Sequence, residues 1–156
     1  MLKWLWVSGV VIVLDQLTKL WAGSALSYAE PMPVIPFFNL TLLHNTGAAF
    51  SFLSTAGGWQ RWFFALTAVV VSAILLAWLK RLKPGQMWLA LALALVLGGA
   101  LGNVIDRLYF GYVIDFLDFY YNNWHWPAFN VADMAISVGA VMLIIDSLRP
   151  ERKPES

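Results

Sequence analysis

The 156-residue chain holds nine acidic side chains, and five aspartates set in or beside apolar runs are the ones placed for chemistry: Asp15, Asp106, Asp115, Asp118 and Asp133. A carboxylate at membrane depth costs about 2.5 to 3.5 kcal/mol on insertion scales, so each needs a partner or a proton. Two carboxylates brought close together cannot both ionise readily. They share a proton, one serving as base toward a water and the other as acid, which is the chemistry of an aspartic hydrolase. In GYVIDFLDFYY, Asp115 and Asp118 have no base nearby in the sequence, and Asp133 follows in FNVAD inside another apolar run. Spacing alone does not select which of these would pair. Each also has a plainer reading. Asp133 could bond neighbouring backbone at a helix start marked by Asn130. Asp106, followed at once by Arg107, could be an interfacial anchor or part of a local ion-pair network. Asp15 and Lys19 have the i,i+4 spacing of an ion contact on one helix face.

Other chemistries find less support. Cysteine is absent, which excludes a disulfide framework, a thiol nucleophile and a cysteine-ligated metal. The two histidines, His44 and His125, lack the HExxH spacing of a zinc protease, and no GxSxG elbow occurs. The aspartates lack the regular loop spacing of a calcium or magnesium site, so no metal or other cofactor is expected. Asn45-Thr46-Gly47 mimics a pepsin-like DTG, but an amide cannot supply the carboxylate. A net charge of +1 without a basic cluster gives no sign of nucleic-acid binding. A proton-coupled transporter would need carboxylates through both halves of the membrane. Here the inner halves carry almost none, Asp146 lying at one end.

The elements that must position these groups are membrane spans. The chain is 60% hydrophobic and 12% charged, with a mean hydropathy of +0.69. A bilayer core needs roughly 20 mostly apolar residues in a helix. Trp62 to Leu79 and Met87 to Ile105 meet that plainly, and residues 4–22 and 127–145 are weaker spans carrying polar groups. The expectation is one membrane-embedded unit with four transmembrane helices over about 4–22, 62–79, 87–105 and 127–145, and outer segments at 23–58 and 106–126. A helix starting near Pro127 would put Asp133 about 9 Å, or roughly two turns, below its beginning. Lys3 and the following apolar run also fit a secretory signal peptide, but Asp15 and Lys19 interrupt that pattern. Lys3, Lys80, Arg81, Lys83, Arg149, Arg152 and Lys153, seven of the ten bases, fall on one side, which puts both termini in the cytoplasm. The polar chemistry then gathers at the outer surface, where PVIPFFNLTLLHN reads as a short strand and a small extended layer over the helix ends. Gly98, Gly99 and Gly102 suit close helix approach rather than phosphate binding. The tail after Leu148 is polar and short.

Four stretches converge on one family. DQLTK from Asp15, FFNLTLLHNTGAAFSFLS from Phe37, GGALGNVIDRLYFGYVIDF from Gly98 and WPAFNVADMAISVG from Trp126 together resemble lipoprotein signal peptidase, the bacterial signal peptidase II. The resemblance implies an α-helical integral membrane protein of the cytoplasmic (inner) membrane, with four transmembrane helices, a small β-rich periplasmic cradle and an outer helix or loop able to flex over the site. It implies an aspartic endopeptidase that removes the signal peptide from diacylglyceryl-modified prolipoproteins just before the lipidated cysteine, without metal or covalent intermediate. The family's catalytic aspartates match Asp115 and Asp133. Its surrounding positions match Asp15, Lys19, Asn45, Gly47, Asn103, Asp106, Arg107, Asn130 and Ala132, the first two as helix-face support. Membrane lipid and globomycin-type inhibitors are the further partners implied. Asp118 matches no catalytic position and is expected to be solvated or interfacial, and Trp59, Trp62, Trp124 and Trp126 are expected as interfacial anchors.

Overall fold

The computed structural model describes residues 1–47 and 58–148. The AAFSFLS portion of the second motif and the bases Arg149, Arg152 and Lys153 lie outside the described residues. A 3₁₀ turn at Leu2–Trp4 leads into α1 (Leu5–Ala25), followed by β1 (Met32–Ile35), β2 (Phe38–Asn45), α2 (Trp59–Arg81), α3 (Met87–Tyr109), β3 (Val113–Tyr121), β4 (Trp124–His125) and α4 (Val131–Ser147). Among the described residues, three helical stretches are long and apolar enough to cross a membrane: Leu2–Ala25, Trp59–Arg81 and Met87–Tyr109. The fourth helix has 17 residues and begins later than its apolar run suggests.

α3 is the central post, packed on α1, α2 and α4. Its small residues explain why. A side-chain carbon at Gly98 would meet the Ser8 backbone at 2.9 Å, one at Gly102 would meet Asp15 Oδ2 at 2.7 Å, and one at Gly99 would collide with the Ala132 carbonyl. The glycines therefore bring α1 and α4 against α3, as their clustering suggests. At one end, Leu75, Leu79, Leu89, Leu93 and Leu97 form a buried apolar core. Elsewhere the helices turn large apolar side chains outward, among them Trp6, Leu66, Ile74, Val138 and Ile144, as a lipid-facing surface requires. α1 is built into this packing through buried Asp15 and Lys19.

The sheet is antiparallel in the order β1-β2-β3-β4. The strand expected in PVIPFFNLTLLHN is a hairpin, turning at Pro36-Phe37. Gly111, at φ +89°, supplies the turn from α3 into β3. Beyond β4 the chain stays extended, because Phe129 is bound to β3. Its carbonyl accepts the amides of both Phe116 (3.1 Å) and Leu117 (2.9 Å), and its own amide donates to Leu117. Phe129 therefore cannot join a helix, and α4 starts at Val131, with Asn130 as its N-cap, instead of near Pro127. The two successive amides on one carbonyl mark a β-bulge, which breaks the in-and-out alternation of β3. Residues Val113 to Phe116 and Asp118 are consequently all buried.

Candidate active site

The bulge has a direct effect on the acids. In a regular strand, Asp115 and Asp118 would point to opposite faces; here both line one cavity of about 1090 Å³ under the sheet, together with Asp133, Asn45, Asn103 and Arg107. Asp115 comes from β3, paired with Leu43 of β2, and Asp133 from the first turn of α4.

Asn130 holds the two carboxylates. Its side-chain amide donates to Asp115 Oδ1 at 2.7 Å, and its main-chain N–H donates to Asp133 Oδ2 at 3.3 Å. Its side-chain oxygen accepts the Asp133 amide at 3.0 Å, completing a reciprocal capping box. Asp133 thus lies about 4.5 Å from the cap, within the first turn, rather than two turns deep. The capping reading of Asp133 is realised, and Asp133 lines the same cavity as Asp115. The remaining oxygens have donors as well: Asn45 Nδ2 to Asp115 Oδ2 at 3.1 Å and Asn103 Nδ2 to Asp133 Oδ1 at 2.8 Å. Asp115 is 3% exposed. Burial, reinforced by the negative charge of Asp133, pushes its carboxyl up to about 7, against the opposing pull of the Asn45 and Asn130 hydrogen bonds and of Lys19.

A buried charge cluster supports this layer. Lys19 Nζ contacts Asp15 Oδ2 at 2.8 Å, Asp106 Oδ2 at 2.9 Å and Asn103 Oδ1 at 2.9 Å. The i,i+4 contact of Asp15 and Lys19 is present. Asp106, however, is not paired with adjacent Arg107. It accepts Lys19, Gln16 (2.9 Å) and the Ile114 amide (3.0 Å), so the end of α3 clamps the start of β3. Asp15 Oδ1 accepts the Ala132 amide at 2.9 Å, tying α1 to the start of α4. Since Asn103 Oδ1 faces an ammonium, its amide nitrogen must face Asp133: a buried cation fixes the orientation of a hydrogen-bond donor. Arg107 donates to Gly47 O at 3.0 Å and to Asn103 O at 3.4 Å and lies over the Phe64 ring, joining α3 to the end of the β1–β2 hairpin. Asn45 accepts the Gly47 amide at 3.0 Å.

All eleven residues singled out from the sequence thus belong to one hydrogen-bonded network. Gln16, one of the polar groups of the first span, joins the same network by donating to Asp106 Oδ1 at 2.9 Å. Asp118 is a correction. It is 4% exposed rather than solvated, accepting Thr41 Oγ1 and contacting His125 Nδ1, each at 2.8 Å. The histidine is supplied by β4, folded back beside β3. Trp59, Trp62 and Trp124 are exposed, as anchors would be, whereas Trp126, half-exposed, also lines the cavity. Among the described residues no group of three or more acidic or histidine side chains could hold a metal ion.

Comparison with solved structures first gives the class. Two bacterial membrane enzymes determined by the in meso method, at 2.3 and 1.9 Å resolution, match with TM-scores of 0.85 and 0.83. They are 28% and 29% identical over 98% and 96% of this chain, and the match covers 94% of each of theirs. The fold is thus shared with bacterial membrane enzymes. The family follows from sequence. The model for signal peptidase (SPase) II matches residues 7–149. A lipoprotein signal peptidase of Pseudomonas aeruginosa (strain UCBPP-PA14) is 57% identical over 157 residues, 99% of this chain and 93% of the relative. That of Alteromonas mediterranea is 57% identical over 148 residues, 95% and 81%. That of Acinetobacter baumannii (strain ATCC 17978) is 55% identical over 152, 97% and 86%. This chain belongs to the signal peptidase II family and is an aspartic peptidase with a multi-pass membrane location.

Proposed function

We propose that the protein removes the signal peptide from diacylglyceryl-modified prolipoproteins by hydrolysing the bond before the lipidated cysteine, with Asp115 and Asp133 as the catalytic pair. One observation carries this reading: two carboxylates from different elements share a cavity, every oxygen has an amide donor, and Asp115 is pushed up to about 7. Such a pair retains one proton near neutral pH. The ionised member takes a proton from a water held between the two, and the water attacks the scissile carbonyl. The protonated member hydrogen-bonds the developing oxyanion and then protonates the leaving amine. Asn45, Asn103, Asn130 and Arg107 hold substrate backbone and pair geometry.

The whole chain acts as one membrane-embedded unit with four spans, α4 being the shortest. Both termini are cytoplasmic, and the sheet is a cradle at the outer surface of the bacterial cytoplasmic membrane. Chain anchoring supports the specificity. A diacylglyceryl group buries its acyl chains in lipid and holds the adjacent cysteine at the membrane surface, which supplies orientation and effective concentration. Globomycin-type inhibitors would occupy the same cavity.

The test is cleavage of a lipidated prolipoprotein by purified protein and by Asp115→Asn and Asp133→Asn. Both inserted variants are expected to lose turnover by about 10²- to 10⁴-fold, the scale of losing a general acid or base. Near-normal turnover by either one refutes the pair. Unlipidated substrate is expected to be cleaved poorly, and equal rates for both forms would refute the anchoring argument.

A further inference from the structure

The Asp118, Thr41 and His125 cluster lines the same cavity as the carboxylate pair but has no part in the proposed acid-base steps. Asp118 and Asp115 are three residues apart on β3, hence at most about 10 Å at the 3.3 Å per residue of a regular strand, across the bulge at Phe116 and Leu117. An extended peptide bound with its scissile carbonyl at Asp115 would pass this cluster about three residues further on.

The cluster is built to hold an imidazole in one orientation. Asp118 is buried, and one oxygen accepts the Thr41 hydroxyl while the other faces His125 Nδ1, each at 2.8 Å. A carboxylate has only acceptors to offer, so Nδ1 carries the hydrogen and, in the neutral ring, Nε2 carries the lone pair. The ring stacks on Tyr120, with centroids 5.5 Å apart and planes 23° from parallel. Although Asp118 is buried, the His125 side chain is 47% exposed, and among the described residues nothing hydrogen-bonds its Nε2. With the ring neutral, the cavity wall therefore presents a fixed acceptor. The ester carbonyls of a diacylglyceryl group are acceptors themselves and cannot satisfy it, whereas a peptide main chain offers an N–H donor at nearly every residue.

We propose that His125 is a substrate-binding residue whose Nε2 accepts a main-chain N–H of the bound prolipoprotein about three residues from the scissile bond, with Asp118 and Thr41 as positioning residues for the ring. This rests on the peptidase reading above and adds a specific contact to it.

The experiment combines enzyme and substrate changes. His125→Phe keeps the stacked ring and removes the acceptor, and His125→Gln restores an acceptor at the side-chain end. Synthetic lipidated substrate peptides carry an ester in place of one main-chain amide, scanned over the four positions on either side of the cleaved bond. His125→Phe is expected to raise KM by about three- to tenfold with kcat within about twofold, the effect of one hydrogen bond, and His125→Gln to recover most of it. One ester position should raise the KM of the unmodified enzyme by a similar factor and have no further effect in His125→Phe. The proposal is overturned if every ester acts equally on both enzymes, if His125→Phe lowers kcat alone, or if His125→Gln recovers nothing. Should His125→Phe fail to fold, the ester scan on the unmodified enzyme and His125→Gln decides, and the contact is refuted if no single ester position raises KM in either. Full turnover in Asp115→Asn would overturn the catalytic reading while leaving the ester scan to report on His125.

Discussion

Removing the Asn45 amide should move the alkaline limb of the pH–rate profile upward. Asn45 Nδ2 donates to Asp115 Oδ2 at 3.1 Å and opposes the burial and Asp133 charge that push this carboxyl up to about 7. The donor stabilises the ionised form, so Asn45→Ala destabilises the carboxylate and raises the value at which it loses its proton. A hydrogen bond to a charged group contributes about 1.5 kcal/mol at the lower end, and one pH unit corresponds to about 1.36 kcal/mol, so the expected shift is roughly one unit. If the singly protonated pair is the active form, kcat/KM falls as pH rises through the upper apparent value of the pair, near 7 in the unmodified enzyme and near 8 in Asn45→Ala. The assay is kcat/KM on a lipidated, fluorescence-quenched prolipoprotein peptide from pH 5 to 10 in one detergent. Only the position of the limb matters, since losing a substrate contact lowers its height without moving it. A limb that stays put or moves to lower pH would refute this account of Asp115.

Two further outcomes follow from the packing. Lys19→Met leaves Asp15 and Asp106 buried without their cation, and a loss of about 3 to 5 kcal/mol is expected; an unfolding midpoint in detergent lowered by no more than a surface substitution would refute the cluster's structural role. Gly99→Ala drives a methyl group into the Ala132 carbonyl and must push α4 from α3, costing about 1 to 3 kcal/mol and reducing turnover through Asp133. Gly9→Ala, which meets nothing within 4 Å, is the matched control and should fold and cleave normally.

Legibility from sequence followed the range of the interactions. Long apolar runs and β-rich composition are local signals, so the long helices could be read directly, and the β1–β2 hairpin only as a single short strand. The eleven site residues came from motif resemblance, which carries long-range geometry that spacing does not. What went unread depends on contacts between distant segments. Asp118 is buried because a bulge, created by Phe129, turns it toward the cavity and because β4 folds His125 beside it. Asp106 pairs with Lys19 across two helices instead of with its neighbour Arg107. The start of α4 moved because strand pairing consumed the backbone of Phe129 before a helix could.

The capping box at Asn130 and Asp133 gives one side chain two occupations. The geometry that begins α4 uses an acceptor oxygen three residues after the cap, and the proposed reaction demands a carboxylate at that same point in the cavity. Fold and function therefore share a single failure point. A chain that drifts at Asp133 loses a helix start together with its reaction, and one that drifts at Asn130 releases both acids at once. An inactive Asp133 variant is for that reason informative only beside a measurement of whether the helix still begins where it did.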